Sequence, residues 1–567
     1  MLLLDNHFPM KKLVLSPWLL LRPLLERKRL EIIDGLPNNA MRLCSIKKLP
    51  SHCELLFYGQ ALIMNLPTSE MVQSCFVADH GSVNVVLSSK WMAKGIASML
   101  TNGIDSWAPT LPVKRAVVDF CSPNIAKEMH VGHGRSTIIG DSLARMLEYS
   151  NVHVLRRNHV GDWGTNVGML IEYLFEQFPG SDGTAVTAIG DLQSLYRDSK
   201  AKFYWDPDFR RKAQLAAVRL QGGDPAYLKP WAHICEISRT ESAKVIKRLQ
   251  VELEEKGESF YKPYIANMIG DLKSKGLVKE SDGAQVMFIK DFMIPLMLVK
   301  SDGGFTYNTT DMAALWYRLN EEKAEWIIYV TEAGQQGHFD MLFKAARKAG
   351  WLPSNVKTYP RASHASFGKV HGGGNKQFRS RYTDTVPLVA LLHEAKGRSK
   401  TALIKRGYDK EMTLDELDQT AEAVGCGALK STSYTFSYDQ MLSDKGDTAV
   451  YLLKVHARIC SVIRKSGKDI DELKKRGKLA LDHAEERALG LHLLQFTEAV
   501  EEACTKLLPN VVCKYLYKLS KQYTKFYFNC RVIGSAEETS RLLLCEATAI
   551  VMRKCFHLLG ITPVDKL

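Results

Sequence analysis

Apolar residues recur along this chain with two periods. Short runs of five or six bounded by turn formers predict strands, and returns every three or four positions predict helices with one buried face. Ser82 to Leu87 has the first pattern and Ser89 to Leu100 the second, which makes a small α+β unit near the start. Trp107 to Pro112 carries two prolines and reads as a linker into a strand from Arg115 to Phe120. A Pro-Asn turn follows, then a helix from Ser136 to Tyr149 whose Ile139, Leu143 and Met146 share one face. A second strand, His153 to Arg157, runs into Gly161-Asp162-Trp163-Gly164. A third, Trp326 to Val330, runs into Gly334-Gln335-Gln336-Gly337-His338 and another helix. Strands alternating with helices, with polar motifs at the strand ends, predict a doubly wound parallel sheet of the α/β class that takes its ligands at the carboxyl edge. Roughly residues 175 to 290 are charged and helical and read as an insertion. From Leu414 onward helical period dominates, as in Val512, Leu516, Leu519, Tyr523 and Phe526, and a helical bundle is expected. The resulting division is 1–110, 111–405 with the insertion at about 175–290, and 406–567.

Composition adds limits. At 567 residues the chain is too long for one ordinary core, and its 46% hydrophobic and 24% charged content is that of a folded soluble protein. A formal net charge of +14 fits a polyanionic partner, although a basic surface that binds nothing would read the same way. The 12 cysteines include no Cys-x-x-Cys pair and no histidines at zinc-ligand spacing, so no metal site is expected. No apolar run is long enough to cross a bilayer, because the stretch from Leu13 to Leu25 is broken by Pro17, Arg22 and Pro23. No membrane association is expected, and a cytoplasmic location is preferred over an organellar transit peptide.

The chemistry concentrates where the first strand hands over to its helix, in Ser122-Pro123-Asn124-Ile125-Ala126-Lys127-Glu128-Met129-His130-Val131-Gly132-His133. Unpaired N–H groups and the positive dipole end make a helix N-terminus a seat for phosphate. Two imidazoles there can follow charge onto phosphate oxygens as a bond to pyrophosphate lengthens, and Gly132 would leave room for a base or ribose. A carboxylate attacking the α-phosphate of ATP is the reaction such a seat serves, mainly through placement and preorganised charge. A bare His-x-Gly-His string would be read as packing histidines. The strand before it, the run through Lys127 and the amphipathic helix after it change that reading.

This segment resembles the His-x-Gly-His motif of class I aminoacyl-tRNA synthetases in its arginyl form. The resemblance continues through Arg156 to Thr165, Gly257-Glu258-Ser259-Phe260-Tyr261 and Lys300-Ser301-Asp302-Gly303-Gly304-Phe305-Thr306-Tyr307. It covers about Asn38 to Leu567 and is nearest to cytosolic eukaryotic, plant-like sequences. It implies a Rossmann-like catalytic domain, a tRNA-elbow domain before it whose first 37 or so residues diverge, and an all-α anticodon-binding bundle. It also implies ligation of L-arginine to tRNA(Arg) with ATP, Mg²⁺ accompanying the nucleotide without a protein site of its own, and a monomer. Lys127, His130 and His133 would be catalytic. Gly132 and the loop residues Lys376, Arg379, Ser380 and Arg381 would hold ATP. Asp119, Asn124, Tyr307, Asp311 and Gln335 would read arginine, with Tyr307 and Asp311 sharing a helix face at a spacing of four. His456 and Arg458 would contact tRNA. Gly134, Lys454, Asp34-Gly35-Leu36, Thr383 and a shortened segment near Ser431 depart from the family pattern; Gly134, Lys454 and the shortened segment motivate the alternative of a catalytically impaired paralogue that binds tRNA.

Overall fold

Both faces of the strand Arg115–Asp119 are apolar, and Ala116, Val117 and Val118 are fully buried. A strand of this kind belongs in the middle of a parallel sheet covered by helices on both sides. The computed structural model describes residues 52–79, 82–368, 386–430, 438–443, 445–446 and 448–567. Its elements begin with α1 (His52–Met64), the antiparallel pair β1 (Val72–Val77) and β2 (Val83–Leu87), and α2 (Ser89–Asn102). Next come β3 (Arg115–Asp119), α3 (Val131–Tyr149), β4 (His153–Asn158), α4 (Thr165–Gln177), α5 (Ile189–Trp205), α6 (Pro207–Gly222), α7 (Pro225–Arg248) and β5 (Glu254–Glu255). The chain continues through α8 (Lys262–Ser274), β6 (Lys279–Ser281), β7 (Ala284–Met287), β8 (Leu296–Val299), α9 (Tyr307–Asn320), β9 (Trp326–Tyr329), α10 (Gln336–Lys348) and β10 (Arg361–His364). The remaining described elements are helices, α11 (Leu388–Lys405), α12 (Leu414–Lys430), α13 (Tyr438–Met441), α14 (Ala449–Ser466), α15 (Ile470–Arg476), α16 (Ala484–Leu494), α17 (Phe496–Lys506), α18 (Asn510–Asn529) and α19 (Glu538–Leu558).

Five strands form one parallel sheet in the order β10-β9-β3-β4-β5. Asp119 lies opposite both Arg157 and Tyr329, and His364 lies opposite Tyr329, so their strands end together along one carboxyl edge. Beneath that edge Glu322 is buried and takes Arg157 Nη2 at 2.7 Å and Lys256 Nζ at 2.8 Å. Charges can stay buried there because they are paired, and removing one partner would strand the others.

The structure corrects the sequence reading in two places. The stretch at about 175–290 is not helical throughout: it contains β5, which joins the main sheet, and it runs into the antiparallel sheet β6-β7-β8. Helix α3 begins at Val131, not Ser136, because His130 caps it.

Two compact units are distinguished. One comprises, among the described residues, those up to Trp107 with Val462–Glu498 and Lys518–Val551, and there Gly95 on α2 approaches Leu494 on α16. The other comprises Ala108–Ser461, Ala499–Tyr517 and Met552–Leu567 and contains the five-stranded sheet. The expected stripe Val512, Leu516, Leu519, Tyr523 and Phe526 is fully buried along α18.

Candidate active site

After β3 the chain leaves the sheet through backbone that side-chain-bearing residues rarely adopt, with φ of 74° at Cys121, 46° at Ser122 and 60° at Ala126. Such conformations persist only where their surroundings hold them, and they gather at functional sites. Here the Cys121 N–H donates to Ser136 Oγ, the Ser122 N–H to Asn158 Oδ1 and the Ala126 N–H to Ser238 Oγ, each at 3.0 Å.

The two signature histidines fold into a capping box at the start of α3. His130 Nδ1 accepts the Gly132 N–H at 3.0 Å, His133 Nδ1 accepts the His130 N–H at 3.1 Å, and the ring centroids are 3.9 Å apart. A ring nitrogen that accepts an N–H carries no proton, so each neutral ring holds its proton on Nε2. Burial and the Lys127 ammonium push His130 below the ordinary histidine range. Burial, with His130 and Lys127 adding to it, pushes His133 down to about 3. At neutral pH the pair therefore offers two uncharged Nε2–H donors.

This arrangement explains both glycines. A Cβ on Gly132 would lie 2.8 Å from His130 Cε1 and 3.0 Å from His130 Nδ1, so this glycine makes room for the capping ring. Gly134 is buried, and a Cβ there would lie 3.0 Å and 3.1 Å from the two methyls of Leu388. Leu388 donates its N–H to Met129 O at 2.7 Å, and His130 bridges Pro387. Gly134 thus seats the start of α11 against the signature.

Lys127 is half-buried, with Nζ 4.4 Å from the centroid of the Tyr196 ring, and burial together with nearby Lys200 holds its ammonium below the usual lysine range. A cavity of about 210 Å³ opens beside it, lined among others by Asn124, Lys127, Tyr196, Glu258, Lys300 and Tyr307. Asn124 is exposed at its wall and bridges Gly161. Tyr307 is exposed, with its ring 5.2 Å from that of His338. Asp311, one turn along α9, lies 3.2 Å from His159 Nε2 and 2.6 Å from His338 Nε2. Those partners outweigh burial and hold its carboxyl well below the usual range. Gln335 is exposed in the short turn before α10.

Asp119 has a different role from the one expected. Its Oδ2 lies 2.6 Å from Nη2 of the fully buried Arg318, and its Oδ1 accepts the Ser122 hydroxyl at 2.9 Å. Asp119 is therefore the counterion of an internal, permanently charged guanidinium, which neutralises its charge. His456 is likewise corrected. It is fully buried, its Nδ1 is 3.0 Å from Val564 O, and its ring meets Phe556 edge-on at 5.8 Å, so it has no face for an RNA base. Arg458 is partly exposed on α14. Lys376, Arg379, Ser380 and Arg381 lie outside the described residues, as do Thr383, Asp34-Gly35-Leu36 and Ser431.

Sequence reasoning missed Glu258, His159, His338 and Arg318 as members of the site, although the first three stand in motifs it quoted. Burial, reinforced by Asp311 and Asp162, pushes the Glu258 carboxyl up to about 8. A search for a second carboxylate to face a guanidinium would have found it.

Comparison with known proteins agrees with this geometry. Residues 96–437 match the family model described as tRNA synthetases class I (R), catalytic domain, and residues 452–567 match the DALR anticodon binding domain. The chain is 74% identical over 517 residues to the cytoplasmic arginine–tRNA ligase of Arabidopsis thaliana, covering 90% of this chain and 88% of the relative. It is 72% identical to the chloroplastic/mitochondrial arginine–tRNA ligase of the same plant, covering 94% and 84%. The crystal structure of arginyl-tRNA synthetase from Plasmodium falciparum superposes with a TM-score of 0.77 at 32% identity, covering 90% of this chain and 89% of that one. A capped His-x-Gly-His seat at the carboxyl edge of a parallel sheet, a carboxylate-lined cavity beside it and these matches over nine-tenths of the sequence make the chain a member of the class I arginyl-tRNA synthetase family.

Proposed function

We propose that this carboxyl edge activates L-arginine with ATP and passes the arginyl group to the 3′ end of tRNA(Arg). The observation that carries the reading is the pair of Nε2–H donors at the start of α3, beside a cavity holding Glu258 with Asp311 at the same sheet edge. The arginine carboxylate attacks the α-phosphorus of ATP, the bond to the leaving oxygen breaks, and arginyl-adenylate and pyrophosphate form. No proton needs to move in that step, so the protein contributes position and charge. Lys127 supplies the positive charge and His130 and His133 supply neutral donors that strengthen as negative charge builds on the departing oxygens. A 3′ hydroxyl of tRNA then attacks the activated carbonyl carbon and AMP leaves.

Asp311 and Glu258 are the carboxylates that suit the substrate guanidinium, since the partners of Asp311 are imidazoles whereas Asp119 is neutralised by the permanently charged Arg318. Asn124, Tyr307 and Gln335 complete the reading of arginine. His159, Tyr329 and Arg318 carry buried polar atoms unsatisfied within the protein, which a polar substrate and its waters would partner. Lys376, Arg379, Ser380 and Arg381 remain the proposed outer phosphate contacts, and Arg458 a tRNA contact. The side chains at the phosphate seat are nitrogen donors, whereas Mg²⁺ takes oxygen ligands, so Mg²⁺ would be carried on the nucleotide's own phosphates.

The paralogue alternative loses one of its motives, because Gly134 is accounted for by Leu388. A monomer in the cytoplasm completes the reading; among the described residues no helix is long and apolar enough to cross a membrane. ATP–pyrophosphate exchange tests the proposal: exchange should require arginine and rise with tRNA(Arg), and its absence in a folded sample would end the proposal.

A further inference from the structure

The helical insertion touches the signature at three consecutive residues. Ser238 Oγ on α7 accepts the Ala126 N–H at 3.0 Å, the Tyr196 ring on α5 lies 4.4 Å from Lys127 Nζ, and Gln193 Oε1 on α5 accepts the Glu128 N–H at 3.3 Å. These contacts fall between the positive-φ turn at Ala126 and the capping His130, which is the stretch whose backbone aims Lys127. The first and third fix the main chain, leaving the four-carbon side chain as the mobile part. Lysine can place its ammonium in many positions, so a lysine meant for one phosphate needs a second restraint. Among the described residues no carboxylate pairs with Lys127. A carboxylate would hold the ammonium but cancel the charge that the phosphate needs, whereas the face of an aromatic ring attracts a cation without neutralising it.

We propose that Tyr196 is a positioning residue for Lys127, its ring holding the ammonium at the phosphate seat, so that the insertion is part of the ATP-activating apparatus. The proposal rests on the reading of Lys127 as a phosphate-facing lysine. Tyr196 is also packed in the core of this unit, so a loss of function on truncation alone would not separate positioning from packing. Three features distinguish them. Tyr196→Phe keeps the ring, Tyr196→Leu keeps apolar bulk without a ring, and Lys127→Ala removes the group on which Tyr196 is said to act.

The experiment measures kcat and KM for ATP and for arginine in tRNA-dependent ATP–pyrophosphate exchange, with folding checked by thermal melting. Tyr196→Leu should lower kcat/KM for ATP about tenfold, the size of a partly desolvated cation–ring contact, and leave KM for arginine within about twofold. Tyr196→Phe should stay within about twofold of the parent throughout. On the Lys127→Ala background, Tyr196→Leu should cost nothing further. Equal losses on both backgrounds, no loss on either, or a Phe variant as poor as the Leu variant would overturn the proposal. A Lys127→Ala enzyme that exchanges normally would instead overturn the reading of Lys127 beneath it, a result visible before any Tyr196 variant is compared.

Discussion

Gly132→Ala separates the chemistry of the signature from its stability. Gly132 lies in the first turn of α3, and its φ is not in the left-handed region, so alanine is compatible with the backbone there. Alanine should favour the helix by about 1 kcal/mol relative to glycine. Against this, the new methyl carbon would sit 2.8 Å from His130 Cε1 and 3.0 Å from His130 Nδ1, so the ring must swing away and the 3.0 Å bond from the Gly132 N–H is lost. Losing a cap of this type costs about 1 kcal/mol. The two terms nearly cancel, and the melting temperature should barely change. The displaced ring also carries its Nε2–H away from the phosphate seat. Removing one preorganised donor from a developing charge costs about 3–4 kcal/mol, or about 10²–10³ in rate. The assay is arginine- and tRNA-dependent pyrophosphate exchange beside a thermal melt. Unchanged exchange, or a loss of exchange matched by a loss of fold, would refute the argument that Gly132 exists to admit the His130 ring.

Because both signature histidines are held below their ordinary range, His133 at about 3, kcat at saturating substrates should show no acid limb at the ordinary histidine pKa, any limb from imidazole protonation lying at lower pH. Glu258 acts in the opposite direction: its carboxyl, raised to about 8, is mostly protonated at neutral pH, and a bound guanidinium selects the ionised form. Arginine binding should therefore release a proton and tighten as pH rises toward 8, and Glu258→Gln should abolish both effects in calorimetry run in two buffers. Asp119→Asn leaves the fully buried Arg318 without its counterion and should cost about 3–5 kcal/mol in a denaturant titration. His456→Ala should lower stability by about 2–4 kcal/mol through its lost packing and its lost bond to Val564 O, without altering anticodon discrimination in charging of tRNA variants.

What could be read from the sequence was whatever carried a period or a dense motif. The apolar run of β3, the stripe on α18 and the signature all declare themselves, because burial and chemistry there use several side chains at fixed spacing. The two-residue strand Glu254–Glu255 could not be read, since an acidic pair has no period and its place in the sheet depends on pairing with Arg157 and Asn158. The first turn of α3 was hidden by Gly132 and Gly134, poor helix formers whose presence makes sense only once His130 and Leu388 are seen beside them. Asp119 and His456 show the matching limit for sites. A motif names a residue type at a position, but only packing tells whether its polar atoms face a ligand or are spent inside the protein, as Asp119 is on Arg318 and His456 on Val564.

The most direct test is the initial rate at which the purified chain charges tRNA(Arg) with labelled arginine, compared with citrulline, which has the same length but no guanidinium cation. The account predicts tRNA-dependent charging at ordinary enzyme rates with arginine and essentially none with citrulline, because Asp311 would face a neutral group and Glu258 would have no cation to select its ionised form. A folded sample that binds tRNA(Arg) yet charges it with neither amino acid would contradict it.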